Sequence, residues 1–202
     1  KIVKNPSTID TIHRFFSYSN QGMLIKDSML TFRHPTVGNS IWGKRIKLYT
    51  YSNNKIYIHL ENQFFNPTSS IYIQNDTLTP DANNNIILKH SSNNNSSNNS
   101  SIITNYSYGN NPSPLINLNI WDKLGICFED GDFYLIQGMN NNLTSLKISV
   151  YENGVLQGTH IVLDNSDTYT FDPNGYPNSI NFHFPINPNS FTRKIIYVYK
   201  SL

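Results

Sequence analysis

The stretch from Asn119 to Leu163 reads NIWDKLGICFEDGDFYLIQGMNNNLTSLKISVYENGVLQGTHIVL, and it decides the fold class. Its apolar or alternating runs are separated by turn clusters at residues 129–132, 140–142 and 152–154. Asp-Gly and Asn-Gly between alternating apolar runs are the strongest short-range signals of a β-hairpin. The stretch therefore predicts an antiparallel meander, which we expect at the centre of an all-β domain.

The clearest hairpin of the first half joins residues 41–51 to residues 55–60 across the turn at residues 52–54. Side chains of a strand alternate between two faces. The pattern predicts a face that turns to the core, formed by Ile46, Leu48, Thr50, Ile56, Ile58 and Leu60. It predicts an opposite, half-polar and exposed face formed by Lys47, Tyr49, Tyr51, Tyr57, His59 and Glu61.

The strand rhythm of the whole chain, about a dozen short strands with frequent turns, predicts an antiparallel β-sandwich with a jelly-roll-like arrangement. We expect one domain over residues 23–202, with an Asn/Ser-rich loop insertion at residues 79–114. Two apolar islands in it, residues 86–88 and 102–103, are predicted edge strands. Residues 1–22 leave two interpretations open: a short helix begun by a capping box at Ser7–Asp10, or an extended arm that pairs with a neighbouring subunit.

Composition excludes some functions and favours a location. The net charge of +2 gives no electrostatic case for binding nucleic acid, and the basic run of residues 44–47 predicts a solvated strand face. Only 14% of residues are charged, and polarity comes from 31 asparagines together with serine and threonine. This mix is typical of extracellular, cell-surface or virion proteins, although AT-rich codon usage also explains it. No apolar run is long enough for a membrane span.

The sequence predicts no enzyme, because the common catalytic and cofactor motifs are missing. Cys127 stands alone, which excludes an internal disulfide, and the six histidines are scattered without a zinc signature. Calcium is a hypothesis for the acidic turns, because carboxylate oxygens are its ligands, but turn formation explains these residues without a metal. The residues concerned are Asp130, Asp132, Asp164 and Asp167.

Two sets of surface residues are predicted. The glycan acceptors of Asn-x-Ser/Thr sequons would be Asn75, Asn94, Asn95, Asn98, Asn99, Asn105 and Asn142. Aromatic side chains beside amides form platforms for sugars or for protein contacts. The members of this predicted contact surface are Trp42, Tyr49, Tyr51, Tyr57, Tyr106 and Tyr108.

The leading functional hypothesis is a non-catalytic protein that works by assembly, as a subunit of a virion coat, a spike or a cell-surface filament. Its partners would be further copies of itself or other coat and surface proteins. A lectin-like or adhesin module that binds glycans is the first alternative. The second alternative is a glycan-active enzyme on a sandwich scaffold, which requires two facing carboxylates.

Overall fold

The computed structural model describes residues 2–5, 8–34, 40–65, 70–93, 99–113, 140–163, 168–186 and 189–196. Within these ranges the regular secondary structure consists of β-strands. The strands are Ile2–Asn5 (β1), Thr8–Tyr18 (β2), Leu24–His34 (β3), Ser40–Ser52 (β4), Lys55–Phe64 (β5), Ser70–Pro80 (β6), Ile86–Asn93 (β7), Ser100–Pro112 (β8), Asn141–Glu152 (β9), Val155–Leu163 (β10), Thr168–Phe171 (β11), Pro177–Ile186 (β12) and Asn189–Ile196 (β13).

The described strands form two sheets whose ladders are antiparallel. In the larger sheet the strands follow one another in sequence order from β1 to β10, and β11, β12 and β13 form the smaller sheet. The predicted all-β antiparallel class is therefore confirmed. The jelly-roll-like sandwich is not confirmed, because a Greek key returns a strand across its neighbours, whereas these strands pair with their successors.

The chain divides by its internal contacts into two compact units, residues 1–77 with 91–99 and residues 78–90 with 100–202. The core of the first unit includes Leu24, Ile56, Ile58 and Leu60. The fully buried core residues of the second are Leu78, Ile86, Leu143, Leu146 and Ile180. The predicted division into a segment 1–22 and one domain 23–202 stays a prediction.

A helix near the N-terminus is not what the structure shows, because Thr8–Tyr18 is strand β2. This strand pairs with β1 on one side and along its length with β3 on the other. A short isolated helix is marginal in water, whereas a strand with two hydrogen-bonded neighbours satisfies its backbone on both sides. The helix prediction was wrong because its local signal was weaker than this ladder.

Two hairpins close through two-residue turns. Asn53 and Asn54 have φ values of 52° and 56°, and Asn153 and Gly154 have values of 50° and 78°. Positive φ at both central residues defines the type I′ turn, which suits the twist of paired strands. The predicted turn at residues 152–154 is thus confirmed. The strands that it joins, β9 and β10, stand last in the order of the large sheet rather than at its centre.

Three other hairpins share a five-residue turn that begins with serine or aspartate. In residues 81–85 the Asp81 carboxylate accepts hydrogen bonds from the Asn83 and Asn85 amides, at 2.8 and 2.9 Å. Asp172 repeats this pattern in residues 172–176, and Ser19 repeats it with its hydroxyl in residues 19–23. The fourth residue has positive φ in each turn, at Gly22, Asn84 and Gly175. Side-chain acceptors of this kind stabilise turns and explain part of the polar composition.

Substitution of Gly154 tests the type I′ turn of β9 and β10. Gly154→Ala is expected to lower the free energy of unfolding by about 1 kcal/mol, because an L-residue is strained at its φ of 78°. No atom lies within 4 Å of the added Cβ, so the effect is purely conformational. Gly158→Ala is the matched control on β10, where the new Cβ makes only ordinary contact with His160. Urea unfolding measures both variants, and equal effects would contradict the turn assignment.

The two-residue turn between β4 and β5 reverses the predicted faces of β4. Ser52 pairs with Lys55, and therefore Tyr49 pairs with Ile58 and Lys47 with Leu60. Paired residues share a face of the sheet. The buried side of β2–β5, here called the inner face, thus joins Lys47, Tyr49 and Tyr51 to the aliphatic residues of β5.

The prediction for β5 is confirmed, since Ile56, Ile58 and Leu60 are buried. The prediction for β4 is wrong, since Leu48 is 44% exposed and lies on the opposite side, here called the outer face. A hairpin's register follows from the length of its turn, and a shift by one residue moves every side chain to the other face. The turn length therefore outweighed the apolar pattern of β4.

The predicted Asn/Ser-rich loop at residues 79–114 is mostly strand. Its apolar islands lie in β7 and β8 as expected for strands, but neither strand stands at an end of the sheet order. In β8 the buried Thr104 and Tyr106 alternate with the exposed Asn105 and Ser107. The period of two thus continues through polar residues, which the loop prediction overlooked. Residues 94–98 lie outside the described residues.

Candidate functional site

The most unusual feature of the inner face is a row of charged side chains on β2, β3 and β4. We define the charged row as Arg14, Asp27, Arg45 and Lys47. Asp27 pairs with Lys47 across the ladder, and Met29 pairs with both Arg14 and Arg45. The four residues therefore share one face. On the described part of this row three cationic side chains accompany one carboxylate.

Arg14 and Asp27 form a two-pronged ion pair. Arg14 Nε lies 2.8 Å from Asp27 Oδ1, and Arg14 Nη2 lies 2.5 Å from Asp27 Oδ2. The Asp27 side chain is 2% exposed and the Arg14 side chain 19%. The guanidinium also stands 4.8 Å from the centre of the Phe16 ring. A parallel pair of charge-assisted hydrogen bonds fixes both side chains, as the burial of a carboxylate requires.

Arg45 and Lys47 are buried, at 8% and 3% exposure. Arg45 Nη2 lies 3.5 Å from Met29 Sδ. The predicted solvated face for the run 44–47 is therefore wrong at these two residues and right only for Lys44, which is exposed on the outer face. The cause is again the register of the β4–β5 hairpin, which turns the odd-numbered residues of β4 inward.

Tyr49 lies beside the charged row on the same face of β4. It is 5% exposed, and its hydroxyl has no hydrogen-bond partner among the described residues. Burial raises the pKa of this phenol, as does the charge of Asp27, while Arg14 and Arg45 oppose the shift. By contrast, the Tyr51 hydroxyl donates a hydrogen bond to the Leu24 carbonyl at 2.5 Å, and burial also raises the pKa of Tyr51.

The outer face of β2–β5 mixes apolar and charged side chains. One row of paired positions runs Phe15, Ser28, Ile46 and Glu61, and the next runs Ser17, Lys26, Leu48 and His59. Phe15, Leu48 and Tyr57 are 54%, 44% and 37% exposed. Lys26, Lys44 and Glu61 are exposed beside them. The outer face therefore presents large apolar side chains to solvent within a charged surround.

His59 joins two acceptors on the outer face. His59 Nδ1 lies 2.8 Å from Asn75 Oδ1, and Nε2 lies 3.3 Å from Glu61 Oε1. Both ring nitrogens donate only in the protonated imidazole. The hydrogen bonds to Asn75 and Glu61 therefore raise the pKa of His59, against a small opposing effect of burial.

This shift predicts a pH dependence of stability. Because the folded pKa of His59 is raised, its contribution is present below the ordinary value of about 6.5 and is lost as the pH rises through the folded pKa. Wild type is expected to exceed His59→Gln in unfolding free energy at pH 5, by less than about 1 kcal/mol for so exposed a pair. The difference should shrink by pH 8. His160→Gln, an exposed histidine of β10, is the control, and a difference that grows with pH would contradict the prediction.

The predicted glycan acceptors lie in different surroundings. Asn105 and Asn99 are exposed, Asn75 is half-buried against His59, and Asn142 is 4% exposed. An acceptor amide must reach solvent, which favours Asn105 and Asn99 over Asn142. Asn94, Asn95 and Asn98 lie outside the described residues. Modification stays a prediction.

The predicted aromatic contact surface does not come together on one face. Tyr49 and Tyr106 are buried, and Tyr108 is half-buried with its hydroxyl bonded to the Ile86 carbonyl at 2.8 Å. Tyr57 is exposed, and the side chain of Trp42 is outside the described part of the chain. The calcium candidates Asp130, Asp132, Asp164 and Asp167 are also outside it. Within the described ranges no three histidine, cysteine, aspartate or glutamate side chains form a group that could hold a metal ion.

Asparagines also build a network in the second unit that sequence reasoning missed. The buried Asn85 accepts hydrogen bonds through Oδ1 from the backbone amides of Asn140 and Asn141, at 2.9 and 3.0 Å. Its Nδ2 donates to Asn141 Oδ1 at 3.0 Å. The network fastens the turn at residues 81–85 to the start of β9. The role of this network is structural, because the Asn85 amide is used in hydrogen bonds that hold the two segments together.

The sequence carried a usable signal for the charged row. The length of the 52–55 turn gives the pairing of β4 with β5, and that pairing puts the buried aliphatic residues of β5 opposite Lys47 and Tyr49. The position of Arg14 against Asp27 was not predicted, because residues 1–22 had been left open between a helix and an extended arm.

The similarity of this chain to known proteins bears on its fold and not on its function. The chain is similar to the solved structure of a porin-like protein from Bacteroides vulgatus, with a TM-score of 0.59 and 14% identity, over 100% of this chain and 85% of that one. A porin-like protein from Bacteroides uniformis matches with a TM-score of 0.32 and 11% identity, over 98% of this chain and 94% of that one. No protein-family model and no curated protein matches the sequence. Within the described ranges no helix has the length and apolarity needed to cross a membrane.

Proposed function

We propose that the chain is a non-catalytic β-sheet protein of the exterior of a cell or virion, and that it assembles with further copies of itself through the outer face. The observation that carries the proposal is the exposure of Phe15, Leu48 and Tyr57 on that face. Exposed large apolar side chains rimmed by polar ones are typical of protein contact surfaces. The composition of uncharged polar residues supports the location.

The charges of the outer face favour a second copy as the partner. Lys44 and Glu61 lie on the same face and in neighbouring rows of the sheet. In a two-fold contact the same patch meets itself, so the Lys44 of one copy can approach the Glu61 of the other. A partner surface that carried only positive charge would repel Lys44, and one that carried only negative charge would repel Glu61.

A membrane-embedded role, as the description of the porin-like neighbours would suggest, is less well supported. Such a role would place an exposed sheet face against lipid. The outer face carries Lys26 and Lys44 among its apolar residues. A lysine on a lipid-facing strand costs about 2–4 kcal/mol at the bilayer midplane.

The predicted sandwich remains part of the proposal for the second unit. The Tyr169 hydroxyl of β11 donates a hydrogen bond to the Leu143 carbonyl of β9, at 2.8 Å. β10 also contacts β12. These contacts support a small sheet packed on the end of the large one, with Leu143 and Ile180 buried in the same unit.

Glycan binding is the second candidate. The exposed Tyr57 ring lies on the same face as His59, which is hydrogen-bonded to Asn75. An aromatic ring beside amide and imidazole groups offers stacking together with hydrogen bonds to a sugar. A glycan array tests this function. Glycan binding by wild type that is lost in Tyr57→Ala would favour glycan binding over assembly.

Sedimentation equilibrium tests the assembly. Wild type is expected to associate with rising concentration, while the double variant Phe15→Gln, Leu48→Gln stays at the monomer mass of 23.2 kDa. Val155→Gln is the matched control, because Val155 is 63% exposed on β10 and outside the outer face. A wild type that is monomeric at high concentration, or a double variant that associates equally well, would overturn the proposal.

A further inference from the structure

We infer that acidification weakens the proposed assembly, because His59 of each copy competes with Lys44 of the second copy for the Glu61 carboxylate. This regulation rests on the proposed function, since it acts on the contact through the outer face. Neutral His59 leaves Glu61 to the second copy, and protonated His59 pairs with Glu61 within its own copy.

His59 lies among the residues that carry the proposed contact. It pairs with Leu48 across the ladder of β4 and β5, and the next residues on its face of β5 are Tyr57 and Glu61. Leu48 and Tyr57 are two of the three exposed large side chains on which the assembly is proposed. The His59 side chain is itself 41% exposed. A change in the charge of His59 therefore falls inside the contact surface.

The hydrogen bonds of the ring decide what each protonation state offers to Glu61. His59 Nδ1 lies 2.8 Å from Asn75 Oδ1, an oxygen that only accepts, so Nδ1 carries a hydrogen. In the neutral ring Nε2 is then an acceptor, 3.3 Å from the acceptor Glu61 Oε1. Two acceptors form no hydrogen bond, and Glu61 is available to a lysine of the second copy. Protonation makes Nε2 a charged donor and joins it to Glu61.

Protonation of His59 also adds positive charge to a surface that meets itself. Lys26 lies in the same row of paired positions as His59, and Lys44 lies on the same face of β4. In a two-fold contact these charges approach the same patch of the second copy. One proton thus draws the Glu61 carboxylate away from Lys44 and adds a like charge, and both effects oppose assembly.

The described ionisable groups of the outer face identify His13 as the rival origin of a pH effect. Besides His59 they are His13, Lys26, Lys44, Lys55, Tyr57 and Glu61. The positions of β6 that alternate with Asn75 hold residues without an ionisable group, namely Ile71, Ile73 and Thr77. Histidine is the side chain that ordinarily titrates between about pH 5 and 8. The hydrogen bonds to Asn75 and Glu61 raise the pKa of His59 above the ordinary 6.5, so its proton is lost closer to neutral pH.

Sedimentation equilibrium of the full chain at pH 8 and pH 5.5, at one ionic strength, tests the inference. Wild type is expected to associate about tenfold more weakly at pH 5.5, because an exposed ion pair is worth up to about fivefold and two-fold symmetry counts it twice. His59→Gln keeps a neutral amide beside Asn75 and is expected to associate equally at both pH values. His13→Gln is the matched control, since His13 shares a row with Lys44 on the same face, and it should keep the pH difference.

The outcomes separate this regulation from the assembly itself. A wild type that associates equally at both pH values, or more strongly at pH 5.5, would overturn the regulation and leave the assembly standing. A pH difference that persists in His59→Gln, or that disappears in His13→Gln, would also overturn it. A wild type that is monomeric at both pH values would overturn the assembly and the regulation together.

Discussion

Replacing Asp27 with asparagine is expected to lower the free energy of unfolding by about 3 kcal/mol, the low end of the range for breaking a buried ion pair. The substitution keeps the size of the side chain and removes its charge. The amide keeps one acceptor oxygen for Arg14 but places an NH2 donor where the second oxygen accepted, and the buried Lys47 loses the carboxylate across the ladder. The partial exposure of Arg14 keeps the loss near that lower bound. Urea denaturation at neutral pH measures it.

Glu61→Gln is the matched control for this substitution. Glu61 also pairs with a basic residue, His59, at 3.3 Å, but its side chain is 50% exposed. Water screens such a pair, so the expected loss is below about 1 kcal/mol. A loss of the same size in both variants would show that Asp27 is not a buried counter-ion and would contradict the account of the charged row.

Replacing Leu60 with alanine is expected to lower the free energy of unfolding by about 3 kcal/mol, as large-to-small changes in a core do. Leu60 is 1% exposed, and the deletion leaves a cavity against Lys47 on the neighbouring strand. Leu48→Ala makes the same chemical change on β4, where the leucine is 44% exposed. Its expected loss is below about 1 kcal/mol.

The comparison of the two leucines discriminates between the two possible faces of β4. The apolar pattern of the sequence put both leucines in the core, and the ladder puts only Leu60 there. Thermal or urea unfolding of the two variants under one set of conditions is sufficient. Similar losses in both, or a larger loss in Leu48→Ala, would support the face that the sequence pattern indicated.

Local patterns predicted the local structure well. The alternation in residues 41–60 and the Glu152-Asn153-Gly154 turn predicted hairpins that the structure contains. Period-two alternation and turn chemistry depend on residues close in sequence, and these signals survive in any tertiary setting. They also set the all-β class. They do not set the order of strands, and the sequential sheet was for that reason not foreseen.

The face of a strand was harder to predict, because it depends on two signals that can conflict. In β4 the aliphatic residues Ile46 and Leu48 indicated one face, while the two-residue turn fixed the other. The two-residue turn pairs Tyr49 with Ile58. Because Ile58 was predicted to face the core, this pairing would have assigned Tyr49 to the inner face. The polar side chains that β4 buries in this way are the candidate site.

Contacts between distant segments were beyond the sequence. Asn85 bonds to Asn140 and Asn141, more than fifty positions along the chain. In a chain with 31 asparagines, nothing in the sequence singles out the three that meet. The Arg14–Asp27 pair likewise depends on the register of β2 against β3, and the sequence had left residues 1–22 open between a helix and an extended arm.

Hydroxyl-radical footprinting of the native protein tests the face assignment of β4 and β5 most directly, because it needs no substitution. Tyr57 is 37% exposed and Tyr49 is 5% exposed, and both are tyrosines of the same hairpin. At a concentration low enough to keep the protein monomeric, rapid oxidation of Tyr57 and Leu48 is expected, with Tyr49 protected until the protein unfolds. Rapid oxidation of Tyr49 together with protection of Leu48 in the folded protein would contradict it.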